Sequence, residues 1–123
     1  MLLDSSSSSL LIVDVQEKLF KKISEFKELE NFILTIIKIC SKLEIPIVLS
    51  EQYPTGLGKT IPSIINELKS YPIKTLEKTT FSCFPSNSNL NNFIETKQII
   101  LVGIEINFSL LSTIGIRYQG FNN

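Results

Sequence analysis

The chain has 123 residues, 43% of them hydrophobic, and its twelve basic and twelve acidic residues give a formal net charge of zero. This length and composition predict one domain with a buried core, and the lack of a basic patch argues against nucleic acid as a partner. The sequence contains no histidine, which excludes Ser-His-Asp and Cys-His catalysis and histidine-containing metal sites within the chain, so we expect neither a metal nor a cofactor.

The first third of the chain predicts a lead-in, a buried strand and an amphipathic helix. Residues 1–9 end in a run of five serines, which is low in complexity and is expected to form a frayed lead-in to a domain over residues 10–123. The nearly continuous apolar run at 10–15 is typical of a strand buried on both faces of a parallel sheet. Apolar residues then recur at helical spacing and predict a helix over 25–42, with Ser24 as its N-cap.

The middle of the chain predicts two more strands, separated by a loop and a short helix. Residues 47–49 are apolar and predict a second strand. The segment 53–58 is rich in turn residues and predicts a loop, and Pro62 is a favourable first residue for a short helix. Residues 73–76 predict a third, shorter strand.

The last third predicts a loop at 82–89, a brief helix at 90–94 and a buried strand at 98–103. Apolar residues after that strand recur at helical spacing, so a helix is expected over 107–119, ended by Gly120. Because no further strand is expected, the strand at 98–103 should form an uncovered, apolar edge of the sheet.

Strands that alternate with helices predict an α/β fold, a three-layer α/β/α arrangement with helices on both faces of a parallel sheet. In open sheets of this kind, ligands bind outside the carboxyl ends of the strands. Asp14, the loop from Glu51, Lys78 and Ser109 all fall at or just past such ends. Asp14 and Lys78 fit an exposed strand end and a surface lysine, or a buried ion pair that acts as a base and an electrostatic clamp.

Two other motifs point to structural roles. Gly58-Lys59-Thr60 resembles the tail of a phosphate-binding loop, but Tyr53 stands where that motif needs glycine and Pro62 interrupts the helix, so nucleotide binding is not expected. Cys40 lies on the apolar face of a predicted helix and should pack in the core. Cys83 lies in a predicted loop, where a reactive thiol is the less favoured alternative.

The sequence shows neither a membrane-spanning run nor a secretory signal. No apolar stretch is long enough to cross a bilayer, and the first residues lack the basic and apolar regions of a signal peptide. We therefore expect a cytoplasmic protein without a membrane partner.

Four separate segments carry a recognisable pattern in order and spacing. They are Leu-Ile-Val-Asp-Val-Gln-Glu-Lys at 11–18, Ser-Glu-Gln-Tyr-Pro-Thr-Gly-Leu-Gly at 50–58, Glu-Lys-Thr-Thr-Phe-Ser at 77–82 and Leu-Val-Gly-Ile-Glu at 101–105. Together they resemble the isochorismatase-like cysteine hydrolases, and the second segment is similar to the isochorismatase domain-containing branch in particular. The resemblance covers nearly the whole chain from Leu10 onward.

This resemblance implies a three-layer α/β/α fold and a catalytic triad of aspartate, lysine and cysteine. Asp14 matches the aspartate that takes the thiol proton, and Lys78 matches the lysine that supports the charge. Ser109 stands where the family has its cysteine, at the start of the helix after the fourth strand, and Asn107 stands where it usually has histidine. Members hydrolyse amides or the vinyl ether of isochorismate, so the resemblance implies a small-molecule substrate and leaves a homo-oligomer open.

Two departures from the family pattern bear on activity. A serine hydroxyl is a far weaker nucleophile than a thiol at neutral pH, so Ser109 is expected to impair catalysis. The family pattern also continues beyond Asn123, so the domain over 10–123 is expected to be incomplete at its C-terminus. The preferred hypothesis is a family member with little or no hydrolase activity. An active hydrolase of small amide or isochorismate-like substrates, a non-catalytic interaction module and a gene fragment remain as alternatives.

Overall fold

The apolar runs of the sequence form neighbouring strands of one sheet in a computed structural model, which describes residues 5–78, 98–106 and 111–120. After a short 3-10 turn at Ser5–Ser7, the elements are β1 (Ser8–Val13), α1 (Glu17–Phe20), α2 (Phe26–Lys42), β2 (Ile47–Gln52), α3 (Pro54–Leu57), α4 (Pro62–Glu67), β3 (Ile73–Lys78), β4 (Gln98–Ile106) and β5 (Leu111–Gly120).

The sheet has the strand order β3-β2-β1-β4-β5. The first four of these strands are parallel to one another, and β5 is antiparallel to β4. The chain moves to one side of β1 to make β2 and β3, and to its other side to make β4. The strand order therefore reverses between β1 and β4, which is the place where open α/β sheets bind their ligands. The predicted α/β fold with a parallel sheet is confirmed.

Every residue of β1 and of β2 is buried, as the continuous apolar runs predict. One core cluster lies between the sheet and the helices, and it includes Leu10, Ile12, Leu29, Ile33, Ile37, Ile47, Leu49, Ile64 and Val102. A second cluster contains alternate strand residues, Leu11, Val13, Val48, Leu76, Ile99 and Leu101. In the ranges that the structure describes, the helical core residues all belong to the first cluster, so helices over the second face remain a prediction.

The long helix α2 follows its predicted bounds within one residue, beginning at Phe26 and ending at Lys42. Its N-cap is Glu25, which makes no side-chain capping bond, rather than the predicted Ser24. Cys40 lies in the core as expected, and burial raises the pKa of its thiol to about 11. The Cys40 thiol is therefore neutral, and a poor nucleophile, near neutral pH.

Two local features differ from the sequence prediction, the start of β1 and the segment after β2. Ser8 and Ser9 belong to β1 and are buried, so the frayed lead-in does not extend to residue 9. Pairing explains the difference, because Ser8 aligns with Gln98 of β4 and its hydroxyl donates to the Gln98 side chain at 3.0 Å. The predicted loop at 53–58 contains α3.

The predicted helix over 107–119 is wrong for the residues that the structure describes there, because Leu111–Gly120 forms β5. The sequence supports this outcome, since Ile114, Ile116 and Tyr118 alternate with Gly and Arg, and β-branched residues favour strands. Pairing with β5 also covers the edge of β4, which the sequence predicted to be uncovered. The predicted loop at 82–89 and helix at 90–94 lie outside the described residues.

Candidate functional site

A group of buried polar side chains lies where β1 and β2 end, at the carboxyl edge of the sheet. This polar cluster consists of residues that are each at most 4% exposed: Asp14, Gln16, Ser50, Glu51, Gln52 and Thr60. Polar groups are costly to bury unless they form hydrogen bonds, so each member must be held by specific contacts. Those contacts define the geometry of the candidate site.

Asp14 follows β1 directly and turns the chain out of the sheet. Its φ of 53° lies in the left-handed region, which is unfavourable for a residue with a Cβ atom. The backbone N–H of Asp14 donates to the carbonyl oxygen of Ser50 at 3.1 Å, and the Ser50 hydroxyl donates to Asp14 Oδ1 at 2.9 Å. Backbone strain of this kind concentrates at functional sites, where surrounding contacts maintain it. Here β2 supplies those contacts and holds the carboxylate at the edge.

On the other side of β1, a glycine lets β4 approach closely beside Asp14. Gly103 is the register partner of Val13 and has a φ of 140°. A Cβ atom added to Gly103 would lie 2.2 Å from the carbonyl oxygen of Val13. No side chain fits there, so glycine is required next to the point where the strand order reverses.

Gln16 joins the end of β2 to the segment that follows it. Its Nε2 donates to the carbonyl oxygens of Gln52 and Gly58, at 2.8 and 2.7 Å. Its Oε1 accepts from the backbone N–H of Gln52 at 2.6 Å. Both N–H groups and the carbonyl of this fully buried amide are thus engaged. No role for Gln16 was predicted from the sequence, where the available signal was a polar residue just after the apolar run at 10–15.

Glu51 fixes the next part of the chain in the same way. Its Oε2 accepts from the backbone N–H and from the hydroxyl of Thr60, both at 2.8 Å. Thr60 in turn forms an isolated antiparallel bridge with Gln16, flanked by backbone bonds from Glu17 to Lys59 and from Ile61 to Val15. The backbone carbonyl of Lys59 and the side chain of Thr60 are therefore both engaged inside the fold.

The segment between these anchors carries an exposed aromatic residue. Tyr53 follows β2 with a φ of 43°, and its carbonyl oxygen accepts from the backbone N–H groups of Gly56 and Leu57. Its side chain is 49% exposed. Asp14 and Tyr53 thus occupy left-handed conformations just past the ends of adjacent strands. The chain therefore turns sharply as it leaves β1 and again as it leaves β2.

The three predicted catalytic residues are described to different extents. Asp14 lies just past the carboxyl end of β1, as predicted, and is buried there. Lys78 is the last residue of β3 and the register partner of Gln52, so one strand separates it from β1, about 10 Å away by the usual strand spacing. Ser109 lies outside the described residues, three positions after the end of β4 at Ile106. A contact among the three residues therefore remains a prediction.

Neither a metal-binding group nor a membrane-spanning helix is found in the part of the chain that the structure describes. Among residues 5–78, 98–106 and 111–120, no group of three or more His, Cys, Asp or Glu residues could hold a metal ion. No helix in the same ranges is long and apolar enough to cross a membrane. The arrangement that these residues do build is a fixed carboxylate at the reversal point of a parallel sheet, which suits proton transfer to a bound small molecule.

Known proteins share the sequence pattern and the fold of this chain. The isochorismatase domain model matches residues 8–116. Isochorismatase domain-containing protein 2 of Rattus norvegicus is 34% identical over 108 residues, which are 87% of this chain and 50% of the relative. The solved MAR1 ribonuclease of Caenorhabditis elegans is 31% identical with a TM-score of 0.69, covering 82% of this chain and 52% of that one. The chain spans about half the length of these relatives.

A more distant solved structure shares the fold alone. The YcaC gene product of Escherichia coli, an octameric hydrolase of unknown specificity, is 19% identical with a TM-score of 0.71. The match covers 82% of this chain and 52% of that one. The parallel sheet and its helices are therefore common to proteins whose sequences have diverged widely.

Proposed function

Because this chain belongs to the isochorismatase family of hydrolases, we propose that it retains the framework of the family's active site while its hydrolytic activity is impaired or absent. The observation that carries this proposal is the residue at position 109, a serine where the family has its cysteine nucleophile. In this proposal the chain is a pseudoenzyme that still binds a small molecule.

The chemistry of the replaced atom supports a loss of activity. A cysteine thiol has a pKa of about 8.5 and forms a thiolate readily beside a positively charged group. A serine hydroxyl reacts only when an adjacent base removes its proton during the attack. In this proposal Asp14 is the base that would accept the proton of the Ser109 hydroxyl. A carboxylate is a weak base for an alcohol. Lys78 would support the developing charge in either case.

The polar cluster supports the retained framework. Glu51 and Gln16 use their buried side chains to hold the ends of β1 and β2 and the segment that follows β2. The hydrogen bonds of this cluster fix the backbone around Asp14.

The position of Asp14 supports an active hydrolase as the alternative. Since Asp14 is held at the carboxyl edge by Ser50, the site keeps a base, and an active hydrolase of small amide or isochorismate-like substrates remains the second candidate. In that case Ser109, or a residue from another copy of the chain, would supply the nucleophile. The octameric assembly of the Escherichia coli structure makes completion by another copy a reasonable form of this alternative.

A turnover assay separates the two candidates. We expect the purified chain to hydrolyse small amides, isochorismate and a short RNA no faster than its Asp14→Ala variant, because neither protein has an effective nucleophile. The RNA is included because the Caenorhabditis elegans structure is that of a ribonuclease. Glu17→Ala is the matched control, since Glu17 is an exposed acidic residue three positions away. Turnover that Asp14→Ala abolishes and Glu17→Ala preserves would overturn the proposal in favour of the active hydrolase.

A further inference from the structure

Ser50 contacts the carboxylate of Asp14 as well as the backbone of β1. Its hydroxyl donates to Asp14 Oδ1 at 2.9 Å, and the two residues are 1% and 2% exposed. The strands β1 and β2 are already joined by their parallel pairing and by the bond from the Asp14 backbone N–H to the Ser50 carbonyl oxygen. The hydroxyl bond therefore adds a contact to the side chain that the proposed function uses as a base.

A second carboxylate at the same edge has a different partner on the other face of the sheet. Glu51 Oε2 accepts from the backbone N–H and the hydroxyl of Thr60, both at 2.8 Å. Successive residues of a strand point to opposite faces. Ser50 follows Val48 by two positions, so it lies on the face of the second core cluster, and Glu51 lies on the opposite face, which packs against the helices. Ser50 and Asp14 are thus a pair separate from the contacts that hold the segment after β2.

A hydroxyl donor has two effects on a buried carboxylate. The ionised form is the stronger acceptor, so the hydrogen bond favours the ionised form over the protonated one. Burial acts in the opposite direction, because it disfavours charge. The bond also restricts rotation of the carboxylate group. Since a base must be ionised before it can accept a proton, a donor at this position serves the chemistry of the site.

We propose that Ser50 is a positioning residue for Asp14, whose hydroxyl keeps the carboxylate ionised and fixes its orientation at the point where the strand order reverses. This inference rests on the proposed role of Asp14 as the base. It gives the end of β2 a part in proton transfer that joining the two strands does not require. Because the hydroxyl is the group that matters, threonine should replace serine at this position and alanine should not.

The titration of the Asp14 carboxyl in the full chain, followed by the carbon-13 NMR signal of its carboxyl carbon, tests this role. In Ser50→Ala the midpoint is expected to rise by about one pH unit or more, because the ionised form loses its donor. In Ser50→Thr, which keeps the hydroxyl, the midpoint should stay close to that of the wild type. Ser50→Cys offers a weak donor of similar size, so it should give an intermediate midpoint, and it serves if Ser50→Ala does not fold.

Thr60→Val is the matched control, because it removes another buried hydroxyl donor, the one to Glu51, and leaves the Ser50 hydroxyl in place. Its Asp14 midpoint should stay near the wild-type value, whatever its effect on stability. All these variants keep the charged residues on the elements around Asp14, which are Glu17, Glu51, Lys59, Lys78 and Glu105. A Ser50→Ala midpoint no higher than that of Thr60→Val, or a Ser50→Thr midpoint as high as that of Ser50→Ala, would overturn the proposal.

The titration does not involve position 109, so its outcome is separate from that of the proposed function. A raised midpoint in Ser50→Ala, together with an unactivated thiol in the variant Ser109→Cys, would support the role of Ser50 and contradict the retained framework. An unchanged midpoint in Ser50→Ala, together with an activated thiol in Ser109→Cys, would support the framework and contradict the role of Ser50.

Discussion

Replacement of Gly103 by alanine is expected to lower the free energy of unfolding by about 3 kcal/mol or more. The added Cβ would lie 2.2 Å from the carbonyl oxygen of Val13 and 2.8 Å from its backbone nitrogen. Both are backbone atoms of a fully paired strand, so neither a rotamer change nor a small shift relieves the clash. The φ of 140° adds strain for any residue with a side chain. Urea unfolding of the wild type and the variant measures the difference.

The same chain provides a control at a second glycine. Gly56 lies in α3, and an added Cβ would meet no atom within 4 Å. Gly56→Ala is therefore expected to change the free energy of unfolding by no more than about 1 kcal/mol, in either direction. If the two variants had similar stability, the close approach of β4 to β1 would not exist as described. The reversal point of the sheet would then need a different geometry.

Gln16→Leu is expected to destabilise the chain by about 3 kcal/mol or more, with its effect concentrated at the end of β2. The leucine would leave the backbone N–H and carbonyl of Gln52 and the carbonyl of Gly58 buried without the amide that now engages them. Urea unfolding gives the total effect. Hydrogen exchange of the Gln52 amide gives its location, because that N–H loses its acceptor and should exchange much faster than the amides in the middle of β2.

Thr35→Ala provides the comparison for an exposed hydrogen bond. The Thr35 hydroxyl donates to the carbonyl oxygen of Asn31 at 2.9 Å on the solvent side of α2. Water replaces that contact, and alanine favours helix, so the variant should differ from the wild type by less than about 1 kcal/mol. A Gln16→Leu variant as stable as Thr35→Ala would show that Gln16 does not join β2 to the following segment.

The elements that the sequence predicted well are those with a strong, local periodic signal. Helix α2 matched because four buried positions recur at helical spacing. The strand β1 was predicted because a nearly continuous apolar run is typical of a strand buried on both faces, although β1 begins two residues earlier than predicted. The segment at 111–120 fits the period of a helix and also that of a strand, since its apolar residues can share one helical face and also alternate along the chain. Pairing with the edge of β4 decides between them, and that partner is distant in sequence from the local pattern.

Some residues of the site could be predicted from the sequence and others could not. Asp14 was predictable because a charge at the end of a buried strand is unusual and because parallel strands bring their carboxyl ends together. Gln16 and Glu51 were missed as holding residues, because their partners Gly58 and Thr60 are identified only when the segment after β2 folds back onto β1. The role of Ser109 comes from the family resemblance alone, since nothing in its local sequence marks a nucleophile.

The central claim is that the framework persists and the reacting atom is missing, and the variant Ser109→Cys tests it most directly. In a Cys83→Ser background, Cys40 is the only other thiol, and burial raises its pKa to about 11. The measurement is the rate at which iodoacetamide alkylates the introduced thiol at about pH 6, well below the ordinary cysteine pKa of about 8.5. The reference is the same protein unfolded in urea, and modification is located by mass spectrometry.

We predict that the folded variant reacts at position 109 at least about tenfold faster than the unfolded reference, because an intact framework stabilises the thiolate. We also predict that adding Asp14→Asn changes this rate, since Asp14 is the group placed to exchange a proton with the thiol. Alkylation at position 109 no faster than in the unfolded chain would contradict the account, because the site would then lack the environment that activates the family's cysteine.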